Sequence, residues 1–311
     1  MTFPSPATEV AEPRSGVTSR VAVALRWLKA VVQTGRPRQW PKNLLVFAAP
    51  LAGDTFGRSY GFWYAVLATV AFVLASSAVY MVNDVVDAER DRNHPYKKFR
   101  PIAGGRLPAS HAVVVAVLFV LAALAVGLAI GEPWLSATIA AYLLISFLYS
   151  AGLKHVPFIE LACVASGFVL RVVGGAAATH VPPSGWFLLV CSLGALMVAI
   201  AKRLTELKVL GGDSVRHRPA MRGYSAGALR FAQRLVSAVM IISYVFWAAT
   251  EPTAKMRFWH LISAVALAAA LVRFDRLTAR ATSKPVEDLI SRDPVMIGSE
   301  LAWLALFALG L

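Results

Sequence analysis

Long uncharged apolar runs alternate with short polar segments along nearly the whole chain. Most runs approach the roughly 20 residues that an α-helix needs to cross the hydrocarbon core of a bilayer. The pattern therefore predicts an all-α integral membrane protein with about nine transmembrane helices, the first and last runs being the shortest. The runs lie near residues 42–57, 62–82, 109–130, 133–152, 157–178, 186–203, 230–250, 257–274 and 295–311.

The composition agrees with this pattern. Hydrophobic residues make up 58% of the chain, charged residues 15%, and the mean hydropathy is +0.62. These values are typical of polytopic membrane proteins and leave no stretch for a soluble domain. Residues 1–20 are rich in Ser, Pro and Thr and lack the apolar core of a signal peptide. We expect a disordered or interfacial segment over residues 1–34 and a single transmembrane catalytic domain over residues 35–311.

The net charge of +14 raises the question of a nucleic-acid partner. The cations lie between apolar runs and are not gathered on one basic module, so no such partner is expected. With nine spans, they concentrate in alternate loops, and the opposite loops hold little beyond Arg58, Lys255 and Arg257. The positive-inside rule then predicts a cytoplasmic N-terminus in a multi-pass protein of the inner (plasma) membrane.

An acidic stretch, "NDVVDAERD", closes the second apolar run on the predicted cytoplasmic side. Asn83, Asp87 and Asp91 recur every four residues and Asp84 lies three before Asp87, so in a helix they share one face. The strip is about 12 Å long at 1.5 Å per residue. Carboxylates spaced in this way repel one another unless a hard cation such as Mg²⁺ bridges them to phosphate oxygens. The alternative is a solvated helix end.

In that alternative, Arg90 and Arg92 would pair with the carboxylates. The following loop, "NHPYKKFRPIAGGRLP", supplies further cations. Lys97, Lys98 and Arg100 are suited to anionic oxygens, while the competing interpretation makes them anchors to anionic lipid.

Polar and charged residues also lie at the ends of two other apolar runs. Tyr149 and Lys154 end the fourth, and the sixth ends in "AKRLTEL", which contains Lys202, Arg203 and Glu206. Lys202 and Glu206 are four residues apart, so a structural pair on one helix face is the alternative to a functional role.

Arg171 differs from these because it lies well inside the fifth run. An unpaired cation there is expensive and indicates a functional site. Glu160, eleven residues earlier on nearly the same helix face, is a candidate structural partner. Gly167, Gly174 and Gly175 would allow a neighbouring helix or a ligand to approach closely.

Together these motifs resemble the UbiA-type intramembrane prenyltransferase superfamily. The matching features are an Asn-Asp-x-x-Asp-x-x-x-Asp motif after the second span, a Tyr-x-x-x-x-Lys after the fourth and a charged cluster after the sixth. The resemblance implies nine transmembrane helices around a central cavity, an active site on the cytoplasmic side, and an acidic motif that binds Mg²⁺ and a diphosphate.

One departure from that superfamily narrows the resemblance. Typical members carry a second aspartate-rich motif after the sixth helix, where this chain has "KRLTE". In this respect the chain resembles the decaprenyl-phosphate phosphoribosyltransferase branch. The segments that carry this resemblance are "RPRQWPKN", "HPYKKFRPIA", "GLKHVPFIELACVASGFVLRVVGG", "AKRLTELK" and "KPVEDLISRDPV".

The branch implies a reaction between a soluble donor, 5-phosphoribosyl 1-diphosphate, and a lipid acceptor, decaprenyl (polyprenyl) phosphate. A lipid phosphate oxygen displaces diphosphate from the anomeric carbon with inversion, the first committed step towards the arabinose donor for cell-wall arabinan. The expected partners are these substrates and the lipid bilayer, with a homo-oligomer left open. Because the acceptor is already an anion, no strong general base is required.

The resemblance and the residue pattern together give the expected site. Mg²⁺ is the expected cofactor, and its ligands are Asn83, Asp84, Asp87 and Asp91. The expected catalytic residues are Asp84, Asp87, Asp91 and Lys202. The expected substrate-binding residues are Asn43, Lys97, Arg100, Tyr149, Lys154, Arg171, Arg203 and Glu206.

Two other functions compete with this interpretation. One is a prenyltransferase that moves a prenyl group from a prenyl diphosphate to an aromatic acceptor, and the missing second aspartate pair argues against it. The other is a lipid or ion transporter without catalysis. Transporters often show broken helices at matching places in two halves, and this chain shows little of that beyond Gly174 and Gly175.

Overall fold

A computed structural model describes residues 16–53, 60–210, 219–251, 253–280 and 292–310, together with 286 and 290. The described residues form helices and contain no β-strand. The α-helices are α1 Gly16–Thr34, α2 Ala48–Ala52, α3 Gly61–Val86, α4 Ala88–Arg92, α5 Ala109–Ala129, α6 Pro133–Ala151, α7 Ile159–Thr179, α8 Gly185–Leu210, α9 Ala226–Ala249, α10 Ala254–Ala279 and α11 Pro294–Gly310. The 3₁₀ segments are Pro37–Phe47, Lys97–Phe99, Leu153–His155 and Pro219–Gly223.

The spanning helices follow the apolar runs of the sequence. Within the described ranges, seven helices are long and apolar enough to cross a membrane: α3 and α5 to α10. Helix α11 is apolar but has only 17 residues. The all-α, multi-pass membrane architecture is therefore confirmed, whereas the count of nine transmembrane helices is not.

The first predicted run, 42–57, takes a different form. It begins inside the 3₁₀ segment Pro37–Phe47, which contains Pro41, and continues into the five-residue helix α2. Pro50 lies inside this run, where it lacks the N–H that would bond to the Val46 carbonyl and its ring would clash with that carbonyl, so a continuous α-helix is disfavoured. Residues 54–57 of this run lie outside the described residues.

Helix α1 lies within the segment predicted to be disordered or interfacial. It buries Ala30, Val31 and Thr34 but leaves Val23 and Leu25 exposed. One face of the helix therefore packs on the protein, and apolar side chains remain on its surface, which is typical of a helix that lies at a membrane interface. Residues 1–15 of the predicted segment lie outside the described residues.

Successive spanning helices pack against one another from α5 to α9, and α3 packs against both α5 and α7. Contacts between helix ends show that neighbours in the chain run in opposite directions. Met81 clusters with Ala112, Arg203 bonds to Glu160, and the Phe158 N–H donates to the Tyr224 hydroxyl. The ends of α3, α6 and α8 and the starts of α5, α7 and α9 therefore lie on one side of the bundle. We call this side the motif end, because the acidic stretch follows α3 there.

Two glycines bring the 3₁₀ segment Pro37–Phe47 close to α7. A Cβ added at Gly175 would collide with the backbone carbonyl of Val46, and one at Gly174 would collide with the ring of Phe72. Val46 and Phe72 are fully buried. The close approach expected from the sequence at these two glycines is confirmed, and it fixes the position of the residues that precede Val46.

Gly175→Ala should consequently destabilise the bundle. Because the added methyl meets backbone and not a flexible side chain, we expect a loss of about 1–3 kcal/mol in the free energy of unfolding. Thermal unfolding in detergent measures it, with Gly298→Ala in α11 as the matched control, since a Cβ there meets nothing within 4 Å. Equal midpoints for the two variants would contradict the packing described.

Candidate active site

The acidic stretch forms one continuous strip on α3 and α4. Asp87 lies between the two helices, yet its N–H donates to the Asn83 carbonyl at 2.9 Å and its own carbonyl accepts from the Asp91 N–H at 2.8 Å. The i to i−4 hydrogen bonding therefore continues through the junction. The spacing of Asn83, Asp84, Asp87 and Asp91 along one helix face holds in the structure.

Two arginines from elsewhere in the chain bind the strip. Asp84 Oδ1 lies 2.6 Å from Arg36 Nη2 and 3.1 Å from Arg100 Nη1, and Asp91 Oδ2 lies 2.6 Å from the same Arg100 nitrogen. Lys97 Nζ is 4.0 Å from Asp91 Oδ1. Asp84 and Asp91 are buried, whereas Lys97 is exposed. The partners of these carboxylates are therefore Arg36 and Arg100, and not Arg90 and Arg92 as the alternative interpretation supposed.

The sequence argument did not single out Arg36. Its backbone is left-handed, with φ 55° and ψ 68°, and it directly precedes the 3₁₀ segment. A non-glycine residue in this region is strained and is often held there for function. Its guanidinium also lies 4.7 Å from the centre of the Tyr80 ring. Asp84 and Tyr80 thus hold Arg36 over the start of the strip.

The donor set of the strip suits a hard divalent cation. Three carboxylates and one amide oxygen are the ligands that Mg²⁺ prefers, and Mg²⁺ needs only one or two carboxylates because it keeps waters and binds phosphate. Each carboxylate has about four acceptor positions, so an arginine contact does not exhaust it. Among the described residues, no three acidic, His or Cys side chains converge into a ready-made metal cage. The residues therefore fit a metal that arrives with a phosphate ligand.

A second charged cluster lies between α7 and α8 at the motif end. Arg203 Nε is 2.6 Å from Glu160 Oε1, and Arg203 Nη1 is 2.8 Å from Glu206 Oε1. Glu160 is fully buried and Arg203 is nearly so. The suggestion that Glu160 pairs with Arg171 is therefore wrong, because Glu160 reaches across to α8.

The side chain of Lys202 faces α7. Its Nζ lies 5.9 Å from the centre of the Phe168 ring, and the residue is half-buried. Glu206 accepts from Arg203, one residue beyond Lys202. Lys202 therefore projects from α8 towards the side of α7 that also carries Arg171.

The third cluster surrounds Arg171. Its Nε donates to Asn43 Oδ1 at 2.7 Å, its Nη1 to the Gly167 carbonyl at 2.5 Å and its Nη2 to the Tyr142 hydroxyl at 3.2 Å. Arg171, Asn43 and Tyr142 are all buried. The sequence argument named Asn43 and Arg171 but missed Tyr142, which no local motif marks.

Two further predicted residues lie at the end of α6. Tyr149 lies in the last turn of α6 and Lys154 in the 3₁₀ segment that follows, both half-buried at the motif end. Within the described residues, no ion pair or hydrogen bond joins Lys154 to the acidic strip. Both residues lie at the motif end.

The sequence matches the UbiA prenyltransferase family over residues 44–289, and the chain belongs to that family. It is 37% identical over 279 residues to the decaprenyl-phosphate phosphoribosyltransferase of Mycobacterium tuberculosis (strain ATCC 25618 / H37Rv), covering 88% of this chain and 92% of the relative. It is 34% identical to the enzyme of the same name from Mycolicibacterium smegmatis, covering 96% of this chain and 95% of the relative. The resemblance drawn from the motifs is confirmed.

A solved structure of a UbiA homolog from Archaeoglobus fulgidus bound to GPP and Mg²⁺ has the same fold. The TM-score is 0.68 at 17% sequence identity, with 90% of this chain and 98% of that chain covered. At this identity the match concerns the fold alone.

Proposed function

We propose that this protein transfers the 5-phosphoribosyl group of 5-phosphoribosyl 1-diphosphate to decaprenyl phosphate and releases diphosphate. One observation carries the proposal. The last third of helix α8 carries Lys202, Arg203 and Glu206 and no aspartate pair, in a chain 37% identical to a decaprenyl-phosphate phosphoribosyltransferase over 88% of its length. A phosphoribosyl donor carries a 5-phosphate in addition to its diphosphate. Cations in this part of α8 suit that additional phosphate.

The reaction is a displacement at the anomeric carbon. An oxygen of the lipid phosphate forms the new C–O bond as the bond to the diphosphate oxygen breaks, and the electron pair leaves with diphosphate. Mg²⁺, held by Asn83, Asp87 and the remaining acceptor positions of Asp84 and Asp91, would neutralise charge on the leaving group when bound.

The two arginines that bind the strip prepare it for Mg²⁺ and diphosphate. Arg36 and Arg100 offset the mutual repulsion of the buried Asp84 and Asp91 carboxylates and hold them in place. Arg100 is 28% exposed and Lys97 is 46% exposed at the side chain, so both also face solvent from which a soluble donor arrives. Arginine and lysine at this position bind phosphate oxygens by charge-assisted hydrogen bonds.

The second cluster has two functions in this proposal. Arg203 is held by two carboxylates and is nearly buried, so we assign it the positioning of Glu206 and of the end of α8. Lys202 is assigned direct contact with a substrate phosphate. Tyr149 and Lys154 lie on the same side of the bundle, and we assign both to substrate binding.

A membrane-spanning bundle of this kind lets a water-soluble donor meet a lipid whose chain stays in the bilayer. We propose that the motif end faces the cytoplasm in the inner (plasma) membrane, because cations concentrate in the loops on that side.

Cysteine labelling tests this orientation. Tyr96 at the motif end and Pro182 between α7 and α8 are both exposed. In a background without Cys163 and Cys191, we expect Tyr96→Cys to react with a membrane-impermeant maleimide only from the cytoplasmic side and Pro182→Cys only from the opposite side. Labelling of both from one side would overturn the arrangement.

A matrix of donors and acceptors tests the proposed function. Purified protein with Mg²⁺ receives 5-phosphoribosyl 1-diphosphate or geranyl diphosphate, each with decaprenyl phosphate or 4-hydroxybenzoate, and diphosphate release is followed. We expect release only with the phosphoribosyl donor and the lipid phosphate. Release only with the prenyl diphosphate and the aromatic acceptor would establish the competing prenyltransferase, and release with no pair would contradict both enzymes.

A further inference from the structure

Arg171 is a buried cation surrounded by neutral partners. Only 6% of its surface is exposed, and its guanidinium donates to an amide oxygen, a backbone carbonyl and a tyrosine hydroxyl. No carboxylate in the part of the chain that the structure describes pairs with it. Burying a charge without an opposite charge is costly, so this environment favours binding of an anion.

Asn43 gives an independent indication of a ligand. Its side chain is fully buried, and because its oxygen must face the Arg171 Nε donor, its amide nitrogen is directed elsewhere. That nitrogen has no hydrogen-bond partner among the described residues. A buried donor without an acceptor is also costly, and the two unsatisfied features lie side by side. A ligand with several anionic oxygens would satisfy both.

Gly167 and two aromatic rings lie next to the guanidinium. A Cβ added at Gly167 would make only ordinary contacts, 3.6 Å from Arg171 Nη1 and 3.7 Å from Tyr142 Cε2. The rings of Tyr142 and Phe72 lie 4.7 Å and 5.9 Å from the guanidinium carbon. Aromatic rings therefore flank the guanidinium beside its three hydrogen-bond acceptors.

The depth of Arg171 decides which anion fits. It lies twelve residues from the start of α7, about 18 Å along the helix from the motif end. The diphosphate of a water-soluble donor would be bound by the strip and the exposed cations at that end, with its ribose extending inward so that the lipid phosphate can reach the anomeric carbon. A polyprenyl monophosphate instead carries an apolar chain, so its phosphate can reach a site enclosed by spanning helices.

We infer that Asn43, Arg171 and Tyr142 bind the phosphate of the polyprenyl acceptor. This inference rests on the proposed function and assigns one of its substrates to named side chains. The close packing of Val46 on Gly175 brings Asn43 to Arg171, so the site depends on the contact between the 3₁₀ segment and α7.

Asn43→Asp is the sharpest test. The change is nearly isosteric and places a carboxylate 2.7 Å from the Arg171 Nε position, so an internal ion pair would replace the anionic ligand. We expect the KM for decaprenyl phosphate to rise about ten- to a hundredfold, while the KM for 5-phosphoribosyl 1-diphosphate changes less than about twofold. The thermal midpoint should equal or exceed that of the wild type.

Ligand binding without turnover provides the second measurement. Farnesyl phosphate, a short polyprenyl monophosphate, should raise the thermal midpoint of the wild type but not of Asn43→Asp, with farnesol as the control that lacks the phosphate. If Asn43→Asp does not fold, Tyr142→Phe carries the test, since it removes only a hydroxyl. It should raise the acceptor KM about two- to tenfold.

The outcomes separate this inference from the proposed reaction. An unchanged acceptor KM in a folded Asn43→Asp protein, or a raised donor KM in its place, would overturn the inference and leave the reaction intact. If the wild type shows no phosphoribosyl transfer but binds farnesyl phosphate in a manner that Asn43→Asp abolishes, the reaction fails and the site stands.

Discussion

Asp87→Asn should abolish phosphoribosyl transfer and leave the protein folded. Asp87 is half-buried, and within the described residues no ion pair or side-chain hydrogen bond engages its carboxylate. The substitution therefore removes a proposed metal ligand without breaking a structural contact, unlike a change at Asp84 or Asp91. Since outer-shell changes at metal sites cost about 10- to 100-fold, loss of a direct ligand should cost more than about a hundredfold in kcat/KM.

The control is Glu89→Gln on α4. It makes the same change in charge two residues away on an exposed side chain, and we expect an activity close to that of the wild type. Initial rates measured over a range of Mg²⁺ concentrations distinguish the two variants. A rate for Asp87→Asn that equals the wild type at saturating Mg²⁺ would show that this carboxylate neither binds nor supports the metal.

Lys202→Ala should give the second largest loss. If Lys202 holds a substrate phosphate, the variant loses a charge-assisted contact worth about 1.5–3 kcal/mol, which corresponds to about a ten- to hundredfold lower kcat/KM. A structural pair with Glu206 near the surface would be worth only about 0.3–0.5 kcal/mol, and activity would barely change. Lys202→Arg, which keeps the positive charge, should recover part of the activity.

Lys208→Ala is the matched control on the same helix. Lys208 Nζ donates to the carbonyls of Thr278 and Ala279 at 3.2 Å and 2.8 Å and so ties α8 to α10. We expect this variant to lower the thermal midpoint with little change in kcat/KM. Lys202→Ala should show the opposite pattern, and a loss of stability without a loss of rate would contradict the assignment.

The hydrophobic pattern predicted the helices of the bundle well. The runs 109–130 and 133–152 correspond to Ala109–Ala129 and Pro133–Ala151, because in both cases polar residues and a turn limit a single apolar run. The run 42–57 did not become a continuous α-helix. The run is apolar, but Pro50 inside it lacks the N–H that an α-helix would bond to the Val46 carbonyl, and hydropathy does not register that effect.

The acidic strip followed from the sequence, whereas its partners did not. The positions of Asn83, Asp87 and Asp91 are set by helical periodicity alone, which is local. Arg36 is 48 residues from Asp84, and Tyr142 is 29 residues from Arg171, so these contacts depend on how helices pack. Arg36 did lie in a quoted segment, "RPRQWPKN", but nothing in that segment identifies its partner.

The error over Glu160 has a geometric cause. Eleven residues return a helix to nearly the same face, but they also separate the two side chains by about 16 Å along the axis. Arg171 instead bonds to Gly167, four residues before it, and Glu160 bonds to Arg203 on α8. Periodicity gives the face of a helix on which a residue lies, and the distance along the axis must be considered as well.

The position of the label after turnover tests the central proposal most directly. Purified protein, Mg²⁺ and decaprenyl phosphate receive 5-phosphoribosyl 1-diphosphate labelled either in the 5-phosphate or in the terminal phosphate of the diphosphate. We predict that the 5-phosphate label enters the lipid phase and that the diphosphate label stays in water as free diphosphate. Entry of both labels, or of neither, would contradict the proposed displacement.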